Sequence, residues 1–186
     1  MNIGFAMCGS LCTFDAVFAA MRNVAENHTL IPIMSEPSCS IDSRFGTGQE
    51  HIHTVTEICG REPLCTIEQV EPIGPKKLLD ALIIAPCTGN TLAKLAHSIA
   101  DGPVTMAAKS HLRNGRPILV AISTNDGLAG AAENIGKLLG RKNYYFVPFG
   151  QDDPINKPTS IVADFSKVLP ALTCMLEGKQ IQPMLQ

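Results

Sequence analysis

The sequence predicts a single α/β domain over residues 1–186, with a doubly wound, mostly parallel sheet between two layers of helices. Its predicted strands are continuous apolar runs, and segments of helical periodicity separate them. Strands that are apolar on both faces are typical of parallel sheets covered on both sides, a three-layer αβα arrangement. A chain of 186 residues suits one such domain, and no internal repeat, low-complexity segment or linker divides it.

The apolar runs and the helical patterns alternate along the chain. Short apolar runs predict strands at 2–7, 29–34, 64–68, 80–86, 117–123 and 143–149. Apolar residues at helical spacing predict helices at 12–26, 49–59, 103–113, 128–139 and 160–177. A further helix follows the strand at 80–86 and carries on one face Leu92, Leu95, Ala96 and Ile99. The polar, glycine-rich segment 35–49 is predicted to be a loop.

Composition excludes several classes of function. The formal net charge is −2 and no basic stripe occurs, which disfavours nucleic acid and anionic membranes as partners. The chain shows neither a signal-peptide pattern nor an apolar run long enough to span a membrane, so we expect a cytoplasmic protein. An apolar content of 45% predicts that other protein chains cover some of its surface.

Seven cysteines without a CxxC pair argue against a disulfide framework and against a metal site. We therefore expect most of them to be small buried side chains. Cys87 directly follows a predicted strand, where it is either a reactive thiol or, as we favour, a packed one.

Small hydroxyl and amide residues follow the predicted strands. In open α/β sheets ligands bind at the carboxyl ends of strands, and hydroxyls beside helix N-termini favour a phosphate. No GxxxxGK[ST] or GxGxxG pattern occurs, so a mononucleotide such as FMN fits better than a conventionally bound NAD(P). Helix capping is the competing interpretation. The residues predicted to bind the cofactor are Gly9, Ser10, Ser35, Thr88, Gly89, Asn90, Thr91, Ser123, Thr124 and Asn125.

No catalytic residue is fixed by the sequence, but three charged residues are candidates. Arg44 lies in the glycine-containing stretch 44–48, where a mobile flap would let it pair with a substrate carboxylate. Asp152 and Asp153 follow the last predicted strand. This acidic pair is consistent with proton uptake or cation binding, with a turn that fixes the loop, or with a contact to another protein chain.

The segment IAPCTGNTLAKLAHSIAD, at 84–101, resembles the signature of the flavoprotein family of FMN-binding decarboxylases, which typically reads Ala-Pro-Ala-Thr-Ala-Asn-Thr. The match continues through Lys94, Ala96 and Asp101. Two further segments, RFGTGQEH and FVPFGQDDPINKP, resemble the family of dipicolinate synthase B subunits of spore-forming bacteria. The resemblance extends over nearly the whole chain.

The resemblance implies a Rossmann-like flavoprotein fold and a homo-oligomer built from trimers. It implies a partner, the A subunit of dipicolinate synthase, with which the B subunit oxidises dihydrodipicolinate to dipicolinate during sporulation, in the mother cell. It also implies that NADP binds to the A subunit. The strand-end pocket of this chain would hold either FMN or the dicarboxylate substrate, and Arg44 would bind a carboxylate.

Two departures from the decarboxylases matter for function. Their catalytic histidine segment is replaced here by Glu71-Pro72-Ile73-Gly74, and their Pro-Ala-Met-Asn segment by Ser123-Thr124-Asn125-Asp126. Both departures count against decarboxylation of a cysteine-derived substrate. Two alternatives to an oxidoreductase role therefore stay open. One is a non-catalytic scaffold for the A subunit, and the other, less favoured, is an FMN-dependent decarboxylase.

Overall fold

The computed structural model describes residues 1–186, which fold around a seven-stranded sheet. Five strands run parallel in the order β2-β1-β3-β4-β5, so the chain reverses its winding direction between β1 and β3. This order confirms the predicted doubly wound sheet. The strands are β1 (Asn2–Met7), β2 (Thr29–Met34), β3 (Ala81–Cys87), β4 (Ile118–Thr124), β5 (Tyr144–Phe146), β6 (Phe149–Gly150) and β7 (Ile161–Ala163).

Helices cover both faces of the sheet. The helices are α1 (Phe14–Ala25), α2 (Glu36–Ser40), α3 (Gly48–Cys59), α4 (Ile67–Val70), α5 (Gly89–Ala96), α6 (Pro103–Leu112), α7 (Ala132–Leu139) and α8 (Val168–Leu176). In one layer α1 contacts α3 and α8, and in the other α5 contacts α6 and α7 while α4 contacts α6. None of these helices has both the length and the apolarity that crossing a membrane requires.

The core lies on both sides of the central strands. All seven residues of β3 are buried, as expected for a strand that is apolar on both faces. The predicted apolar stripe of α1 is buried against the sheet, including Phe14, Val17, Met21 and Val24. Apolar burial of this extent is the main stabilising contribution to such a domain.

Two predictions between β2 and β3 were wrong. Residues 64–68 do not form a strand, since Leu64 makes only an isolated bridge to Ile33 and α4 begins at Ile67. A capping box between Thr66 and Gln69 favours that helical turn over an extended chain. The predicted loop at 35–49 contains the short helix α2, whose residues show no apolar period.

The last third of the chain also departs from prediction. The predicted strand 143–149 is divided into β5 and β6, and residues 161–163 form β7 instead of helix. In addition, α7 begins at Ala132, because the Asp126 carbonyl accepts hydrogen bonds that hold the preceding residues in turns. Ile99 lies beyond the end of α5 and is 48% exposed, so it is not part of that helix's buried face.

Candidate functional site

A cavity of about 670 Å³ opens at the carboxyl ends of β1, β2 and β3, beside the reversal of the strand order. Its volume is within the range of small-molecule sites. The predicted residues that line it are Gly9, Ser35, Thr88, Asn90 and Thr91. The other lining residues are Cys8, Glu36, Pro37, Cys65, Thr66, Ile67, Glu68, Lys94, Asp101, Gly102, Pro103, Val104 and Thr105. The cavity therefore occupies the position where doubly wound folds bind their ligands.

The hydroxyl groups at the end of β3 are already used within the chain. Thr88 caps α5, since its Oγ1 accepts from the Thr91 amide at 3.3 Å. The Thr88 hydroxyl donates to Thr91 Oγ1 at 3.2 Å, and the Thr91 hydroxyl donates to Cys8 Sγ at 3.2 Å. Burial raises the pKa of Cys8 to about 11, so its thiol stays protonated. Thr88 is thus a helix cap, as the competing interpretation predicts, and this series of hydrogen bonds joins the ends of β1 and β3.

Other donors at this corner remain available to a ligand. The Asn90 side chain is exposed at the cavity and makes no hydrogen bond within the chain. The amides of Gly89 and Asn90 lie in the first turn of α5, where backbone N–H groups have no intrahelical acceptor. The positive end of the helix dipole adds to the attraction for an anion. One end of the cavity is therefore suited to a phosphate or a carboxylate.

The charged lining of the cavity is mostly acidic. Lys94 is its one cationic side chain, and its Nζ lies 3.0 Å from Asp101 Oδ1. The hydrogen bond from Lys94 lowers the pKa of Asp101, which keeps this carboxylate ionised. Glu36 and Glu68 line the same cavity. Lys94 was noted in the sequence only as part of the family signature; its position one helical turn after Asn90 was the signal that it faces the same site.

Four of the remaining predicted residues, together with Asp126, form a second group at the end of β4. This β4-end cluster comprises Ser10, Ser123, Thr124, Asn125 and Asp126. The hydroxyl oxygens of Ser10 and Ser123 lie 2.8 Å apart, and Thr124 donates to Asp126 Oδ1 at 2.5 Å. The Asn125 carbonyl accepts from the hydroxyl of a threonine just before β7, at 2.7 Å. Most polar groups of this cluster bind one another, and none of its members lines the cavity.

Gly89 lies between the cavity and the β4-end cluster. A Cβ atom at this position would be 2.7 Å from Thr124 Oγ1 and 2.8 Å from Asp126 Oδ1. The missing side chain therefore lets the start of α5 approach the end of β4. The space left by the absent side chain is thus taken up by protein atoms, and the cofactor contact of Gly89 stays a prediction.

Arg44 lies outside the cavity lining. It is exposed in a turn closed by two hydrogen bonds between the backbones of Ser43 and Gly46. Its guanidinium lies 4.7 Å from the centre of the Phe45 ring, and no carboxylate pairs with it. The contact of Arg44 with a substrate carboxylate stays a prediction.

The acidic pair after β6 belongs to a loop held by its own side chains. Asp153 accepts from the amide of Asn156 at 3.0 Å, and Asp152 accepts from Lys157 Nζ at 3.1 Å. A hydrogen bond from Ser160 lowers the pKa of Asp152, and one from the Asn156 backbone lowers the pKa of Asp153. Both carboxyls are thus held ionised near neutral pH. This geometry supports the turn interpretation over proton uptake.

Two further predicted features bear on catalysis. Cys87 is fully buried, and burial raises the pKa of its thiol well above the usual range, which agrees with a packed side chain. The segment that replaces the decarboxylase histidine forms a 3-10 turn at Glu71–Ile73 and packs on α6. No histidine lines the cavity. The chain thus lacks an imidazole base at this site.

The cavity residues fit a phosphate-bearing cofactor at one end. The first turn of α5 and the Asn90 amide supply neutral donors, which is how helix N-termini hold phosphates without a lysine. The end of β1 is close to α2, since a Cβ atom on Gly9 would be 3.0 Å from Pro37 Cβ. The glycine therefore leaves this wall of the cavity open. FMN is consistent with these features.

Comparison with known proteins places these features in a family. Residues 2–152 match the family model described as Flavoprotein. The B subunit of dipicolinate synthase from Bacillus subtilis is 42% identical over 185 residues, which cover 99% of this chain and 92% of that protein. The bifunctional coenzyme A biosynthesis protein CoaBC of Thermococcus kodakarensis is 30% identical over 145 residues, 74% of this chain and 34% of that protein.

Solved structures give the same result. The crystal structure of the B subunit of dipicolinate synthase from Bacillus halodurans superposes with a TM-score of 0.91 at 39% identity, covering 100% of this chain and 95% of that one. The FMN-dependent cysteine decarboxylase SpaF superposes with a TM-score of 0.70 at 18% identity, covering 95% and 97%. The second similarity shows the shared fold.

Proposed function

The chain belongs to the flavoprotein family, with dipicolinate synthase B subunits among its relatives, and we propose that it acts as the B subunit of such a synthase. In this role it works with an A subunit to oxidise dihydrodipicolinate to dipicolinate. The observation that carries the proposal is the 42% identity to such a protein over 99% of the chain. The match includes every wall of the strand-end cavity, the site where the chemistry would occur.

The cavity would hold FMN through its phosphate, and bound flavin would supply a two-electron acceptor. The residues that would hold the phosphate are Asn90, through its amide, and the first backbone N–H groups of α5. The hydrogen-bonded chain from Thr88 to Cys8 would keep those donors in place, because it fixes the start of α5 against β1. The donors would then be arranged before the ligand arrives, which reduces the entropic cost of binding.

The substrate requires cations, because it carries two carboxylates. Lys94 is the cation that the cavity offers, and it is partly neutralised by Asp101. Glu36 and Glu68 repel a dianion at the same opening. We infer that the A subunit supplies the second cation and covers this acidic opening, and that it carries the NADP site. Removal of two hydrogens makes the ring of the substrate aromatic, which favours the reaction. The task left to the protein is to orient the ring and exclude water.

Reconstitution with the cognate A subunit tests the proposal. The two purified proteins are mixed with dihydrodipicolinate and NADP, and NADPH and dipicolinate are measured together. We expect equal amounts of both products, at a rate that the isolated A subunit does not reach. Full activity of the isolated A subunit would contradict a catalytic role for this chain. A visible absorbance spectrum, taken before and after adding FMN, reports separately whether flavin binds.

A scaffold role is the second candidate, and the acidic lining of the cavity favours it. Three carboxylates and one paired lysine form a poor site for a dicarboxylate if no other cation is added. In that case activity should depend on complex formation alone. Substitutions at the cavity that leave the complex intact would then leave the rate unchanged, whereas a catalytic chain would lose activity.

A further inference from the structure

Two cysteines from different segments meet at the wall of the cavity. Cys39 lies in α2 and Cys65 lies just before α4, and their sulfur atoms are 2.9 Å apart. A disulfide bond is about 2.05 Å long, so the two sulfurs need to approach by about 0.9 Å to form one. No other two thiols of the chain are hydrogen-bonded to each other. Both residues pack against the edge of the hydrophobic core and are only partly buried.

Independent contacts hold each cysteine in position. The Cys39 amide donates to the Ser35 carbonyl at 3.2 Å, and its own carbonyl abuts the start of α3, where Gly48 has no side chain to collide with it. The Cys65 amide donates to Gln69 Oε1 at 2.7 Å, within the capping box of α4. The backbone contacts of both segments therefore hold the two sulfur atoms close together.

The two thiols differ in character. The hydrogen bond that they share lowers the pKa of Cys65 and, together with burial, raises the pKa of Cys39. Cys65 lines the cavity and is thus reached from solvent. By contrast, burial raises the pKa of Cys59 to about 12, and its sulfur packs against Met21. Cys65 is therefore suited to attack, and Cys39 to resolve.

We propose that Cys39 and Cys65 are a redox-active dithiol that closes reversibly into a disulfide in the cavity wall. The oxidant is a low-molecular-weight disulfide of the glutathione class. Cys65 attacks one of its sulfurs and expels the first small thiol. Cys39 then attacks the Cys65 sulfur of the mixed disulfide, loses its proton to solvent and expels the second small thiol. The protein loses two electrons and two protons, and the small disulfide is reduced to two thiols.

The bond would act on the cavity itself. Ser35 and Pro37, at the start of α2, and Thr66 and Glu68, beside Cys65, line the same cavity. Oxidation would join these two wall segments and close a ring of chain that contains the turn carrying Arg44. The reduced protein keeps the two segments free to separate, so the redox state would set how far this wall can open. This inference does not depend on which ligand the cavity binds.

Mass spectrometry of the intact chain in glutathione buffers of increasing oxidised fraction tests the proposal. We expect wild-type protein to lose two hydrogens, with peptide mapping that joins Cys39 to Cys65, while Cys59 stays reduced. Unfolding of the oxidised form should occur about 5–10 °C higher, because the cross-link restricts the unfolded chain. Reduction should restore the original mass and the original unfolding temperature.

Variants separate the roles of the two thiols. In Cys39→Ser the resolving thiol is missing, so a stable glutathione adduct should accumulate on Cys65, whereas Cys59→Ser should behave like wild type. The proposal is overturned if wild-type protein retains glutathione on Cys65 or forms other cross-links. Exposed Cys12 serves as the reference thiol: the proposal is also overturned if Cys39 and Cys65 stay reduced when Cys12 is already modified. Because these outcomes are all measured on wild-type protein, they test the proposal even if a variant fails to fold.

Discussion

The cavity corner and the β4-end cluster are built from the same residue types but use them differently. Both follow parallel strands, and both contain a hydroxyl, an asparagine and the start of a turn or helix. At the cavity, Asn90 makes no hydrogen bond within the chain and faces open space. At the end of β4, Ser123 and Thr124 bond to other protein groups, and the Asn125 side chain, although also unbonded, lies outside the cavity lining. Residue type at a strand end therefore does not identify a ligand site; unsatisfied donors beside a cavity do.

The cause of the difference is the neighbouring chain segment. Antiparallel β7 pairs with the last two residues of β4 and leaves no opening there. At the ends of β1 and β3 the winding of the chain reverses, and the helices that follow diverge to leave a crevice. We therefore expect substitutions at the cavity to change binding and substitutions at the cluster to change stability. The predictions that follow test this contrast.

Replacing Lys94 should give the largest effect. Lys94→Met keeps most of the side-chain length but removes the cation of the cavity, and Asp101 stays solvated, so stability should change little. Loss of a charged hydrogen bond of about 2–3 kcal/mol would raise the half-saturating substrate concentration of the reconstituted enzyme about 30- to 160-fold. The matched control is Lys137→Met, which also breaks a helical lysine–carboxylate pair but lies away from the cavity. Equal effects of the two variants would refute this role of Lys94.

A side chain at Gly89 should damage the junction between the two regions. In Gly89→Ala the new Cβ meets Thr124 Oγ1 and Asp126 Oδ1, so the start of α5 must move away from β4. We expect a loss of about 2 kcal/mol in the free energy of unfolding, measured by urea titration. Gly136→Ala is the control, because a Cβ at that helical position meets nothing within 4 Å. An unchanged stability of the Gly89 variant would show that the packing at this junction is loose.

The two asparagines offer the most direct comparison between the regions. Asn90 and Asn125 are both exposed, and neither side chain bonds within the chain, so Asn→Ala at either should leave the unfolding temperature nearly unchanged. Asn90→Ala should weaken FMN binding about tenfold, measured by flavin fluorescence titration. Asn125→Ala should bind FMN like wild type. If Asn125→Ala has the larger effect, the assignment of the two regions is reversed.

The smallest effect is expected at the hydrogen-bonded hydroxyls of Ser10 and Ser123. Ser123→Ala removes a hydrogen bond to Ser10, whose hydroxyl is only partly buried and finds water instead. The free energy of unfolding should fall by about 1 kcal/mol or less. The rate of the reconstituted enzyme should stay at the wild-type level. A marked loss of activity at unchanged stability would place Ser123 in the functional site.

Much of the fold was predictable because the spacing of apolar residues indicates which faces of strands and helices are buried. The parallel core strands and α1, α3, α5 and α6 follow directly from such runs and periods. The antiparallel strand β7 was missed, and the division of the predicted strand 143–149 into β5 and β6 was not foreseen, because β6 and β7 have only two and three residues. Residues 161–163 are apolar and close to α8, so their pattern cannot be distinguished from the start of that helix. Their extended form comes from pairing with β4, a tertiary contact that no local pattern records.

The candidate site was predictable only in part. The sequence indicated polar residues after the strands, and five of the ten predicted residues line the cavity. The order of strands in the sheet determines which strand ends border the crevice. No single segment of the sequence indicates this order. Most of the cysteines were expected to be buried, but only Cys8 and Cys87 are fully so. The contact between Cys39 and Cys65 could not be predicted from the sequence, because it depends on how α2 and α4 are placed in the fold.

One small residue beside Cys39 limits how this protein can evolve. Gly48 begins α3 directly against the carbonyl of Cys39, and any side chain at this position would overlap that group. Every missense change in its codon adds a Cβ atom, so each would push α2 and α3 apart. Lineages that keep this close packing of α2 against α3 must therefore keep the glycine.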